Sequence, residues 1–422
     1  MPSALPLRSA EIIAVGSELL GTVRLDTNSL YLTEQLACLG IEIRTKHIVG
    51  DHRETLARVF ENARDRADLI VFTGGLGPTD DDLTREVVAG VLGRTLDIDE
   101  AIVERIRARF ARRGMAMPDV NRRQAQVPRG ATVLENPNGT APGLLLEDEQ
   151  RLVVLLPGPP RELIPMFAAL CERVLAARAG AERLYTASLF VTGRSESDVE
   201  QRVQPIYSTW RDAEPRIETT ILAVMGQIEL HLSTRGADPA SARARIDAAR
   251  DELARVLGDD VYSTDGRSMP EIVGERLRVR GYAIAAAESC TGGLLLSRMT
   301  DVPGSSDYVY GGVVAYENEA KVAWLDVPEA LIAQHGAVSE PVAVAMAEGI
   351  RAKTGAQVAV AITGIAGPGG GTVEKPVGTV AYAVLVPDQP AYVRTHVFLG
   401  GRDMVKFQST QAVLDRVRRL LR

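Results

Sequence analysis

Four consecutive apolar residues, Leu69-Ile70-Val71-Phe72, run directly into Thr73-Gly74-Gly75-Leu76-Gly77-Pro78-Thr79-Asp80-Asp81-Asp82. A strand without polar alternation has to be covered on both faces, which points to a parallel sheet sandwiched between helices. The preceding chain fits that demand. Glu11 to Val15 reads as a strand, Thr27 to Leu39 as a helix stopped by Gly40, Ile41 to Val49 as the next strand, and Asp51 as the cap of a helix ending near Ala67. Ligands of such sheets sit outside the carboxyl ends of the strands, so the loop after Phe72 is a candidate site. Its glycines Gly74, Gly75 and Gly77 are expected to leave backbone N–H groups open for phosphate, with Asp81 and Asp82 holding a bridging cation. The alternative is that these carboxylates only cap the helix Thr84 to Leu92.

A second strand-to-loop junction lies in the C-terminal third, where the apolar segment Tyr282 to Ala287 meets Glu288-Ser289-Cys290-Thr291-Gly292-Gly293 and a leucine-rich helix. The first N–H groups of a helix have no partner within it, so a hydroxyl at this turn lies beside donors for an oxyanion. Gly292 and Gly293 let a substrate approach the backbone. Twenty-seven residues after Ser289, a strand from Val309 to Tyr316 turns into a helix through Glu317-Asn318-Glu319-Ala320-Lys321. Ser289, Tyr316 and Lys321 are the parts of a serine amidase whose base is a lysine. A plain turn capped by Ser289 and Thr291 is the other reading of the first piece.

The chain has 422 residues, 45% of them apolar, enough for two to three domains with their own cores. A net charge of −7 argues against a general nucleic-acid footprint. The arginines at 105, 107, 109, 112, 113, 122 and 123 share their segment with Ile102, Ile106 and Phe110, as an amphipathic helix would. No apolar run could span a bilayer, the first residues do not read as a signal peptide, and Cys38, Cys171 and Cys290 are too scattered for a disulfide scaffold or a zinc site. A cytoplasmic protein is expected.

Further motifs accompany the two junctions. The N-terminal part carries Asn136-Pro137-Asn138-Gly139-Thr140-Ala141-Pro142-Gly143 and Leu156-Pro157-Gly158-Pro159-Pro160-Arg161-Glu162; the C-terminal part carries Gly336-Ala337-Val338-Ser339-Glu340, Ile362-Thr363-Gly364-Ile365-Ala366-Gly367 with its following glycines, and Glu374-Lys375-Pro376-Val377-Gly378-Thr379. Together they resemble the CinA family over nearly the whole chain. The resemblance implies an α/β multidomain protein: a molybdopterin-binding-like three-layer domain over residues 1–175, a small KH-type α+β domain over 180–262 and an α/β deamidase domain over 265–422. The middle segment lacks the Gly-x-x-Gly loop of KH domains, since Gly193-Arg194-Ser195-Glu196 has no second glycine, so a spacer or dimerisation role is expected there rather than RNA binding. Its strands are expected at Leu184 to Val191, Ile221 to Ser233 and Val261-Tyr262, the second as one unbroken strand. The chain opens with Gly16-Ser17-Glu18-Leu19 where the molybdopterin-binding family usually has Gly-Asp-Glu-Leu.

The activity so implied is hydrolysis of the carboxamide of nicotinamide mononucleotide to the acid and ammonia, without a cofactor. Thr291, Gly292, Gly293, Asn318, Thr363, Gly364, Gly367 and Arg402 are expected around the substrate, with the loop 364–371 and a bidentate Arg402 on its phosphate. In the N-terminal domain, Gly74, Gly75, Gly77, Asp81, Asp82, Asn138 and Glu162 would serve an ADP-ribose pyrophosphatase dependent on a divalent metal, cobalt or magnesium. A homodimer is expected, with small nucleotides as ligands and neither membrane nor nucleic acid as partner. The family's competence and damage-inducible name suggests another role, as a non-enzymatic partner of recombination machinery.

Overall fold

The computed structural model describes residues 6–22, 24–149 and 151–422; the first five residues, which bear on the expected lack of a signal peptide, lie outside them. The chain divides into two compact units, residues 1–185 with 235–242, and residues 186–234 with 243–422. No helix among the described residues is long and apolar enough to cross a membrane.

The first unit is built on strands β1 (Ser9–Val15), β2 (Glu42–Val49), β3 (Leu69–Thr73), β4 (Leu96–Ile98), β5 (Gln126–Pro128), β6 (Thr132–Leu134), β7 (Gly143–Asp148) and β8 (Arg151–Leu156). Its main sheet has the order β2-β1-β3-β8-β7-β6, with β1, β2, β3 and β8 parallel and β7 and β6 antiparallel at one edge. Every residue of β3 is buried. Leu69 and Val71 pack with Leu32, Leu36 and Phe167 on one face, while Ile70 and Phe72 pack with Phe60 and Val88 on the other. That double cover makes the three layers, and burying four such side chains contributes roughly 6–12 kcal/mol before the entropy of ordering them. The arginine-rich segment forms the helix Glu100–Ala111 with Ile102, Val103 and Ile106 buried, as its apolar stripe requires. Asp51 does not cap the helix Arg53–Arg64, whose N-cap is His52; its carboxylate instead accepts the Ser17 N–H at 2.8 Å.

The middle segment contributes β9 (Arg183–Val191), β10 (Ile217–Val224), β11 (Gln227–Gly236) and β12 (Val261–Ser263) in the order β10-β11-β9-β12. The single strand expected over 221–233 is a hairpin, broken at Met225-Gly226, with Gly226 in the left-handed region at φ 70°. Apolar and β-branched residues continue through the turn, so the one glycine is its only signal.

The C-terminal part adds β13 (Ile284–Glu288), β14 (Val309–Val314), β15 (Val358–Gly364), β16 (Thr379–Leu385) and β17 (Tyr392–Val397), ordered β14-β13-β15-β16-β17. The first three are parallel and the last two run antiparallel. The helix Met269–Arg280 that leads into β13 has both of its ends written in sequence: a capping box of Ser268 and Glu271, and Gly281 in the left-handed conformation. β13 lies between β14 and β15, so the chain leaves their carboxyl ends side by side at Ser289, Ala315 and Ile365. Such a reversal of strand order opens a crevice.

Candidate functional site

β13 is wholly buried, and its ladder extends one residue further because the Ser289 N–H donates to the Ile362 carbonyl at 2.9 Å. The chain then reverses through Gly292 and Gly293, at φ 63° and 92°, into the helix Leu294–Thr300. Neither Ser289 nor Thr291 caps that helix. Glu288, 1% exposed, does so: its carboxylate accepts the N–H groups of Gly293 at 3.0 Å, Leu295 at 3.1 Å and Leu296 at 3.0 Å. These donors are therefore not free for an oxyanion. Among the described residues the amides of Cys290 and Thr291 are the ones in this turn that donate to no carbonyl or carboxylate. Removing the carboxylate strands three amides at once, so Glu288→Ala is expected to destabilise the C-terminal unit by about 3 kcal/mol or more, read from its calorimetric transition.

Lys321 enters from the helix Asn318–Leu325 that follows β14. It is 2% exposed, and its Nζ donates to the Tyr316 carbonyl at 2.8 Å, the Glu317 carbonyl at 3.4 Å and Ser289 Oγ at 3.3 Å. A neutral amine has two N–H bonds and one lone pair. With the carbonyls taking both N–H groups, the lone pair can turn to the serine hydroxyl, which at rest donates to the Tyr316 carbonyl at 3.5 Å. Burial pushes the Lys321 ammonium below the ordinary lysine range, with Glu317, Cys290 and Glu319 pulling the other way. Beside it, burial pushes the Cys290 thiol up to about 12, which leaves it protonated at neutral pH.

The other expected substrate residues are distributed as follows. Tyr316 meets Lys321 through its main chain, while its exposed phenol accepts from Arg402 Nη2 at 3.2 Å. Arg402 Nη1 donates to the Gly367 carbonyl at 2.8 Å, tying the glycine-rich loop to the start of the last helix, Arg402–Leu420. Thr363 spends its hydroxyl on the Ala337 carbonyl, and Gly364 lets β16 approach, since a β-carbon there would stand 2.6 Å from Val380 Cγ2. Thr291 is fully buried with its Oγ1 unpartnered, and Asn318 lies exposed at the head of its helix.

In the first unit a cleft of about 590 Å³ opens at the carboxyl ends of β1, β3 and β8, lined among others by Glu18, Asp51, Gly75, Asp81, Asp82 and Glu162. The three loop glycines are not equally open. Gly74 N–H is taken by the Leu156 carbonyl and Gly77 N–H by Asp82 Oδ1 at 2.7 Å, which leaves the amides of Gly75 and Leu76 facing no acceptor among the described residues. Asp82 also accepts the Thr79 N–H at 2.9 Å and the Thr79 hydroxyl, so its carboxylate is committed to the loop itself. Asp81 is exposed at the mouth. Glu162, 8% exposed, accepts from Asn136 at 2.8 Å, whereas Asn138 turns its amide to the Arg161 carbonyl at 2.7 Å and does not line the cleft. No group of three His, Cys, Asp or Glu residues suited to a metal occurs among the described residues.

Comparisons with known proteins match the sequence over nearly its whole length. Family models align as "Probable molybdopterin binding domain" over residues 11–177, "Damage-inducible protein CinA KH domain" over 186–263 and "CinA C-terminal domain" over 266–421. A "CinA-like protein" of Koribacter versatilis is 47% identical over 98% of this chain and 99% of its own length, and one of Acidobacterium capsulatum is 45% identical over 98% and 99%. The chain belongs to the CinA family. A crystal structure of a competence/damage inducible protein from Agrobacterium tumefaciens is 35% identical, covering 37% of this chain and 98% of its own, with a TM-score of 0.35.

Three residues of this CinA-family chain escaped the motif reading. Glu288 was legible in principle, since an acidic side chain directly before a glycine turn and a helix is placed to cap it. Arg85 is buried beneath the N-terminal loop and donates to the carbonyls of Leu76 at 2.7 Å and Gly77 at 3.0 Å; burial lowers its guanidinium to about 10. A charged residue in a helical segment reads as solvated, so nothing local announced it. Lys406 lies one turn beyond Arg402 and comes up beside Gly292, a meeting of residues more than a hundred positions apart.

Proposed function

We propose that the C-terminal unit hydrolyses the carboxamide of nicotinamide mononucleotide to nicotinic acid mononucleotide and ammonia. The observation that carries this reading is the buried Lys321 amine 3.3 Å from Ser289 Oγ, with main-chain carbonyls on its remaining N–H bonds. Ser289 Oγ attacks the amide carbon while its proton passes to Lys321, the carbonyl oxygen becoming an oxyanion near the Cys290 and Thr291 amides. Lys321 then returns the proton to the nitrogen, ammonia leaves, and a seryl ester stays behind. Water attacks that ester with Lys321 again as base, releasing the acid and restoring the serine. The family resemblance supplies the choice of nicotinamide nucleotide; the geometry supports the amide chemistry. The test is ammonia release from nicotinamide mononucleotide by purified protein in the presence of a chelator. No release with this substrate would sink the reading.

A second activity is supported by the N-terminal cleft, whose open Gly75 and Leu76 amides suit a phosphate. We propose metal-dependent cleavage of the ADP-ribose diphosphate there. A hard cation of this kind is commonly held by one or two carboxylates plus the substrate's own phosphates, and the residues fit only that mode: Asp81 has a carboxylate to offer and Asp82 supports the loop. Such a cation would neutralise charge on the diphosphate. Because each unit has its own core, Asp82→Asn is expected to remove ADP-ribose cleavage and leave deamidation unchanged within about twofold. Assaying both substrates on the same folded variant checks this, and a joint loss would argue for one shared site. The non-enzymatic role has no residue that favours it.

A further inference from the structure

Arg402 and Lys406 stand four residues apart at the start of the helix Arg402–Leu420, hence on one face. Val405, Val413 and Leu414 of the same helix are buried in the core, so its rotation is fixed. Arg402 is held on the Gly367 carbonyl and the Tyr316 hydroxyl. Lys406 is half-buried, and its ammonium comes within 3.9 Å of the point where a β-carbon on Gly292 would stand. Gly292 has no side chain to intervene. Neither cation forms an ion pair among the described residues, although Asp403 adjoins Arg402 in sequence.

Taken alone, this arrangement is unfavourable. Like charges at i and i+4 repel by a few tenths of a kcal/mol. Cations in the first turns of a helix also oppose its dipole. A doubly charged anion between the two side chains would reverse both terms, and the turn that carries Ser289 is within reach of the same two residues. We infer that Lys406, together with Arg402, seats the phosphate dianion of the substrate over Gly292, and so sets the preference for a phosphorylated over an unphosphorylated amide. This deepens the amidase reading and rests on it for the identity of the substrate. It assigns the phosphate to the last helix and the Ser289 turn, with the loop 364–371 positioning Arg402 through Gly367.

The experiment compares wild type, Lys406→Met and Lys406→Arg on nicotinamide mononucleotide and on nicotinamide riboside, which has the same amide without the phosphate. Lys406→Met is expected to raise KM for the nucleotide by about tenfold or more with kcat changed far less, to leave the riboside unaffected, and to be largely rescued by Lys406→Arg. An unchanged KM for the nucleotide, or an equal loss on both substrates, overturns the inference while leaving the amidase reading intact. If wild type releases no ammonia from either substrate, the amidase reading fails, and calorimetric titration with inorganic phosphate decides the seat by itself. Binding to wild type that is lost in Lys406→Met supports the inference, and no binding to wild type, or equal binding to both, overturns it.

Discussion

Ser289→Ala is expected to lower ammonia release from nicotinamide mononucleotide by on the order of 10⁴-fold or more, the scale on which loss of a serine nucleophile is felt. Cys290→Ala is expected to keep most of the activity. The two side chains are adjacent, and cysteine is intrinsically the better nucleophile, so the contrast tests placement rather than reactivity. Ser289 Oγ lies in reach of the Lys321 amine, while Cys290 is packed with Leu295, Tyr382 and Val405 in the core with its thiol pushed up to about 12. A buried thiol that takes no hydrogen bond from the amine behaves as a small apolar side chain. Steady-state rates of both variants, with unfolding checked by calorimetry, decide the matter: an inactive Cys290→Ala beside an active Ser289→Ala would reverse the assignment.

The parts of this site that follow from local chemistry could be read from the sequence, and the parts that follow from packing could not. Apolar strands such as Leu69–Thr73 and Val358–Gly364 announce a doubly covered sheet because no other environment suits them. Glycines at 281, 292 and 293 announce a left-handed backbone because other residues are strained there. The direction of a side chain after it leaves the backbone is set by neighbours remote in sequence. Thus Tyr316 reaches Lys321 through its carbonyl, Asp82 folds back onto Gly77 and Thr79, and Asn138 turns toward Arg161. Donors counted as free in a motif are likewise spent by partners the motif does not name, as Leu156 does for Gly74 and Glu288 for Gly293. A motif locates the backbone of a site; the hydrogen bonds around it decide which of its groups still face a ligand.

Lys321→Arg is expected to lower the deamidation rate by at least about 100-fold, the low end of what general-base catalysis contributes, with KM little changed. The amine acts as a base only when neutral, and a lysine near its unperturbed pKa of about 10.4 is almost wholly charged at pH 7. Burial moves Lys321 in the required direction, whereas a guanidinium keeps its proton across the accessible range. In wild type the rate should therefore rise with pH through the folded-state pKa of Lys321, and that limb should vanish in Lys321→Arg. The same shift has a consequence for stability. A lysine whose pKa is lowered on folding binds fewer protons in the native state than in the unfolded one, so its cost is fully present below the folded pKa and is relieved as pH rises toward the unfolded value. The rate should thus level off at the pH where this contribution to stability begins to be recovered. If Lys321 served only as a cation for the substrate phosphate, Lys321→Arg would stay active with an altered KM and the pH limb would persist. Side-by-side pH profiles of kcat and of the C-terminal unfolding transition separate the two, because only a base couples the loss of the proton to the gain in rate.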